Sequence, residues 1–165
     1  FGGETLEEVI TTYTDGSEDS TEVNSGELAH VFGGFVMDVP DTDFAVQATI
    51  GYHMESAPES SFNRWPIDVL GFYKFPEGRV GAGFTYVMGA ALDSDLEPPI
   101  DIEFDNAFGF VGHLDINIGN NSMIGFRFAA LEFDVETYKL SGISIPVTGS
   151  VDGNYFGIYW TQILQ

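Results

Sequence analysis

The stretch IDVLGFYKFPEGRVGAGFTYVM, Ile67 to Met88, is two alternating segments joined by a tight Pro-Glu-Gly. Before the turn, Val69, Gly71, Tyr73 and Phe75 share one side. After it, Val80, Ala82, Phe84, Tyr86 and Met88 do the same. The opposite sides carry Asp68, Leu70, Phe72 and Lys74, then Gly81, Gly83, Thr85 and Val87. Successive side chains of a β-strand point to opposite faces, so this pattern describes a hairpin with one greasy, aromatic face. Its other face is small or polar with scattered charges. Which face meets solvent, and whether that solvent is water, decides the fold.

The same period runs outward from this hairpin. It predicts eight β segments, over 4–13, 27–37, 43–53, 65–75, 79–90, 106–118, 122–133 and 151–164, and almost no helix. Short turns follow the second, fourth and sixth segments: VPDTD, PEG and GNN. Longer acidic connections follow the others: TDGSEDSTEVNSG, MESAPESSFNR, LDSDLEPPIDIEFD and DVETYKLSGISIPVTGS. In an up-and-down meander these alternate between the two ends, leaving one end compact and the other bearing four long loops. Transmembrane β-barrels carry short periplasmic turns and long extracellular loops in this way.

Composition narrows the classes. The chain has 165 residues, which suits one domain over 1–165. No run of 18 apolar residues is present, so no transmembrane helix is expected. The absence of cysteine excludes disulfides, thiolate catalysis and cysteine-ligated zinc. The net charge of −21, from 26 acids against five bases, argues against nucleic acid as a partner. The apolar content is too high and too regular for a disordered acidic tail.

The acids also decide sidedness. Most fall in the long connections, and within the third to eighth segments only Asp68 and Asp115 lie deep. A soluble sheet this acidic would scatter Glu, Asp and Lys along its wet face. The small-polar face instead holds Gly, Ala, Thr and Asn with a few pairable charges, which suits a narrow filled lumen. Eight strands leave an interior just wide enough for side chains to fill. The Phe-rich face suits hydrocarbon, and closure leaves no backbone group unpaired in lipid. The expectation is an eight-stranded antiparallel up-and-down transmembrane β-barrel with a packed lumen.

RWPIDVLGFYKF (64–75) with RVGAGFTYVMGAAL (79–92), and FDNAFGFVGHLDINIG (104–119) with SMIGFRFAALEF (122–133), resemble successive hairpins of small outer-membrane β-barrel proteins of Gram-negative bacteria. These are the eight-stranded relatives of the OmpA transmembrane domain and OmpX. The likeness is one of pattern over nearly the whole chain. It implies residence in the outer membrane, contact with its lipid and lipopolysaccharide, and a signal peptide removed before Phe1. The final Trp160-Thr161-Gln162-Ile163-Leu164-Gln165 departs from the terminal aromatic usual in such proteins.

Candidate residues follow from the faces. Asp68, His113, Asp115 and Arg127 are expected to form a polar network in the lumen, paired because buried charges require it. Tyr52, Trp65, Tyr73, Phe75, Tyr86, Phe104 and Phe133 lie near segment ends and are expected as interfacial aromatics. Asp15, Asp19, Asp93 and Asp95 are candidates for weak divalent-cation bridging to anionic lipopolysaccharide, although neither acidic loop has EF-hand spacing. His30, His53 and His113 stand on three separate segments, so no metal and no cofactor is expected. No enzymatic activity is expected; the role is structural or surface-interacting, through the four acidic loops and a partner they would meet. Two alternatives compete. One is a soluble lipocalin-like barrel whose apolar face lines a ligand cavity. The other is a membrane-embedded lipid-modifying hydrolase using His53 with Glu55, Ser56 or Ser60.

Overall fold

The computed structural model describes residues 5–12, 18–24, 29–57, 60–95, 99–119, 121–145 and 147–164. It is all-β and antiparallel. The long strands are β3 (Ala29–Asp38), β4 (Phe44–Ala57), β5 (Ser60–Phe75) and β6 (Gly78–Ser94), and each pairs with the next. They are followed by β7 (Ile100–Phe104), β8 (Ala107–Gly119), β9 (Ser122–Ala130), β10 (Glu132–Leu140), β11 (Ile143–Ile145), β12 (Ser150–Asp152) and β13 (Tyr155–Gln162). The first half of β6 pairs with β8 and its second half with β7. Thus β7 and β8 are one span broken at Asp105-Asn106. By the same reasoning β9 and β10 are one span broken at Leu131, and β12 and β13 one span broken at Gly153-Asn154. The breaks are stitched together: Leu131 N–H donates to Asn154 Oδ1 at 2.9 Å, and Gly153 N–H to Leu131 O at 3.0 Å.

Seven spans therefore follow one another in a single meander, and they match the second to eighth predicted segments. The first predicted segment does something else. Residues Thr5–Thr12 form β1, which among the described residues pairs only with β2 (Glu18–Asn24), as a separate two-stranded ribbon. The larger sheet has eleven strands and is not closed: among the described residues no pairing joins β3 to β13. The expected eight-stranded closure is thus absent from the described residues. The sheet nevertheless curls until the rings of Phe32 on β3 and Tyr159 on β13 meet at 5.8 Å.

Two of the expected long loops are largely β-structure. Strand β6 continues to Ser94 against β7, and β10 folds back on β11 as an exposed ribbon. Strand β11 is exposed along its whole length, whereas the β6–β7 extension still turns Leu92 and Phe104 into the core. The short turns match their sequences. Asp41 and Asn121 take left-handed φ of 59° and 60°, a conformation that Asp and Asn tolerate better than most residues. Gly89, with φ of 59°, marks a bulge where β6 spends an extra residue opposite β5 between Asn63 and Trp65. The bulge shifts phase. Thr85 and Val87 are buried before it, and Ala90 and Leu92 after it.

Candidate functional site

The curl gives every span an inside and an outside. Facing out are Val31, Phe35 and Met37 on β3, Val46 and Ile50 on β4, and Val69 and Tyr73 on β5. They are joined by Phe84 on β6, Phe108 and Phe110 on β8, Phe126 and Phe128 on β9, and Phe156, Ile158 and Trp160 on β13. Phe35 is 72% exposed, Phe110 61% and Trp160 60%. The residues of the opposite phase are buried on β4, β5, β6 and β9 and mostly half-buried on β3 and β13. The Phe-rich face is therefore the outer one.

The interior is filled. Asp68, His113, Asp115 and Arg127 all point inward and join one hydrogen-bonded chain. The Arg127 guanidinium grips Asp68 with two nitrogens, at 2.7 and 3.1 Å, and its Nε donates to Tyr155 OH at 2.7 Å. It also lies 3.0 Å from His113 Nε2. A guanidinium only donates, so Nε2 accepts and the ring proton sits on Nδ1. That proton faces Tyr159 OH at 2.6 Å, and the Tyr159 hydroxyl in turn donates to Asp115. Asp115, fully buried, also accepts from Arg79 Nε at 2.6 Å, while Arg79 Nη2 donates to Gln47 Oε1 at 2.8 Å. A buried carboxylate is tolerable only with such partners.

Arg79, Arg64, Gln47, Tyr155 and Tyr159 belong to this interior and were missed from the sequence. A signal for the two arginines was present, because Arg64 shares the phase of Asp68 along β5 and Arg79 that of Thr85 along β6. Arg64, 1% exposed, lies over the rings of Phe62, Phe133 and Tyr155 at 5.4, 5.4 and 5.1 Å. Arg79 lies 4.0 Å over the ring of Phe72. These are cation–π distances.

Glycine makes the room. In register across neighbouring strands, Gly81 sits between Phe72 and His113, Gly125 between Asp115 and Tyr159, Gly157 beside Arg127, and Gly51 beside Phe32. A Cβ on Gly51 would run into the His30 ring, and one on Gly125 into Asp115 and Tyr159. The lumen remaining among His30, Phe32, Gln47, Thr49, Asp68, His113, Arg127 and Tyr159 is about 10 Å³, room for no more than about one water. A larger groove of about 670 Å³ lies between β3 and β13, where the sheet is open.

Comparison with protein-family models, curated proteins and solved structures returned no match.

The predicted aromatics separate into two groups. Tyr52, Trp65 and Tyr86 lie on the outer face toward the long-loop end, where Tyr52 packs on Trp65 at 4.7 Å and donates to Asn63 Oδ1 at 2.8 Å. Tyr73 is on the outer face at the short-turn end, 5.5 Å from Phe44, with half-buried Phe75 beyond it. Trp65 and Tyr73 stand eight residues apart, roughly 26 Å along the strand. Phe104 and Phe133 are a correction. They are 4% and 0% exposed and pack with Phe62 as an aromatic cap inside the long-loop end. Proximity to a segment end misplaced them, because the spans continue past the predicted ends.

Of the cation candidates, Asp93 and Asp95 are exposed, Asp15 lies outside the described residues, and so does the side chain of Asp19. Among the described residues no three His, Asp or Glu side chains gather as a metal would require. Lys139 bonds Glu103 at 2.9 Å on this outer ribbon, and that hydrogen bond and charge raise its pKa. His53 faces inward, its ring 3.7 Å from that of His30, with Arg64 Nε donating to its Nδ1 at 3.4 Å. Ser60 Oγ donates to Ser94 Oγ at 3.0 Å, four residues along β5 from Arg64 and so about 13 Å from the His53 level. A nucleophile and its base need hydrogen-bond reach.

Proposed function

We propose that this chain is the wall of an eight-stranded transmembrane β-barrel of the small outer-membrane type, resident in the outer membrane of a Gram-negative bacterium. Its role is non-enzymatic, structural or surface-interacting. One observation carries the reading: every one of the seven spans turns a row of large apolar residues outward, where they remain exposed, while Arg64, Arg79 and Arg127 are buried inside. Water would not tolerate so continuous an apolar belt on a monomer, whereas hydrocarbon would favour it. The lipocalin-type alternative needs the reverse, with apolar side chains around an internal cavity.

The acidic long-loop end then faces the cell exterior, where lipopolysaccharide and a surface partner would meet it. Divalent cations would bridge Asp93, Asp95 and their neighbours to anionic headgroups. The test is fractionation combined with heat-modifiable gel migration. The protein should follow the outer membrane and run faster unheated than boiled. A monodisperse product in detergent-free buffer, with no heat-dependent shift, would reject the reading.

A further inference from the structure

The outer face changes character along one line. On its apolar side, Trp65 lies opposite Met88, Tyr86 opposite Phe108, and Phe128 opposite Phe156. A few residues further toward the long-loop end, the outward pairs are Asn63 with Ala91, Ala91 with Glu103, and Glu132 with Asp152. Asp93, Glu103, Glu132, Asp134 and Asp152 are all exposed there. The inner face changes in the opposite sense. Below the line it carries Asp68, Arg79, His113, Asp115 and Arg127. Above it Phe62, Leu92, Phe104 and Phe133 are buried, with Ile102, Val135 and Val151 packed against the same core.

Breaks in the strands mark the line: the Gly89 bulge on β6, Asp105-Asn106 between β7 and β8, Leu131 between β9 and β10, and Gly153-Asn154 between β12 and β13. The first two shift the phase of the alternation. Buried Val87 is followed by buried Ala90, and buried Phe104 by buried Ala107.

A sheet packed on one side and wet on the other keeps its apolar side chains in and its charges out. A barrel wall in hydrocarbon does the reverse. This chain does both, on either side of a line that crosses the spans from β5 to β13. Carboxylates on a lipid-facing surface are costly, so the medium outside must change at the line. The height fits. From Trp65 to Phe75, β5 makes ten steps, about 33 Å along the strand. A tilt of about 40° reduces this to about 25 Å, the height of the apolar band of a membrane barrel.

We propose that this line is the outer water boundary of the membrane, and that the sheet above it is a rigid platform in water, standing directly over the lipid headgroups. The inference rests on the outer-membrane reading and fixes where along the wall the bilayer ends. At the same tilt the nine residues of β10, Glu132–Leu140, lift the platform about 20 Å above the boundary. Phe104 and Phe133 point inward because the medium outside them is water.

The chain has no cysteine, so one introduced cysteine carries one nitroxide label. In the full chain folded into lipid vesicles, collision of each label with oxygen, which concentrates in hydrocarbon, is compared with collision with a water-soluble nickel chelate. Oxygen should dominate at Phe84→Cys, Phe126→Cys and Phe128→Cys, and the nickel chelate at Glu103→Cys and Glu132→Cys. Asp93→Cys and Asp134→Cys repeat the upper readings on neighbouring positions should either of those variants fail to fold. Oxygen dominance at the upper sites would overturn the boundary and leave the membrane reading standing. So would nickel dominance at Phe128→Cys with oxygen dominance kept at Phe84→Cys. Nickel dominance at every site would defeat the membrane reading itself, and the boundary with it.

Discussion

At the scale of single residues, the interior behaves as a set of reciprocal debts between charges. Asp68 is held by Arg127, and Asp115 by Arg79 and Tyr159. Removing one partner leaves the other buried and unmatched, at a cost of about 3–5 kcal/mol. Asp68→Asn should therefore lower the unfolding free energy of the protein folded in lipid vesicles by that amount, as read from a urea titration. The double variant Asp68→Asn/Arg127→Gln should lose less than the sum of the single losses. Strict additivity would show that the pair is not coupled. Size is matched as closely as charge. Gly51→Ala drives a methyl into the His30 ring and should cost about 1–3 kcal/mol by overpacking. Adding His30→Ala should recover part of that loss in the same unfolding measurement, and no recovery would argue that the backbone of Val31 sets the limit.

At the scale of elements, the clearest case is the bulge on β6. A Cβ on Gly89 would meet only Trp65 Cδ1, at an ordinary contact of 3.9 Å, so its φ of 59° is what opposes a side chain. Gly89→Ala should cost about 1–2 kcal/mol, the penalty of a left-handed L-residue. An unchanged midpoint would mean the bulge relaxes. The same strand shows what could be read in advance. Its first half alternates without interruption, and a sheet with different environments on its two faces writes that difference into every second residue. After Gly89 the phase slips, and a reading with fixed parity puts Ala90 and Leu92 on the wrong side. Strand β1 was misassigned for a related reason: a separate two-stranded ribbon and a strand of the larger sheet share the same extended geometry and differ only in what they pair with and pack against. Of the interior, Asp68, His113, Asp115 and Arg127 were legible because charges deep in alternating strands stand out. Tyr155, Tyr159 and His30 were not, because aromatic and histidine side chains are ordinary in strands on either face.

At the scale of the whole molecule, the fold is a curled meander whose outer surface is its most apolar part. Both tryptophans, Trp65 and Trp160, lie on that surface, 49% and 60% exposed. In vesicles containing brominated acyl chains their fluorescence should be strongly quenched, and acrylamide in the buffer should quench it little. The opposite ranking would place the belt in water.

The chain's guanidinium groups are all shut away inside, which leaves Lys74 and Lys139 as its only cationic side chains outside the lumen. The molecule has thus given up the fork-shaped donors that most readily clasp phosphates and sugar acids. A visitor to the long-loop end must bring its own positive charge, as bound divalent ions or as a basic patch. Ionic strength would then set the strength of any such contact, loosening it as counterions crowd in.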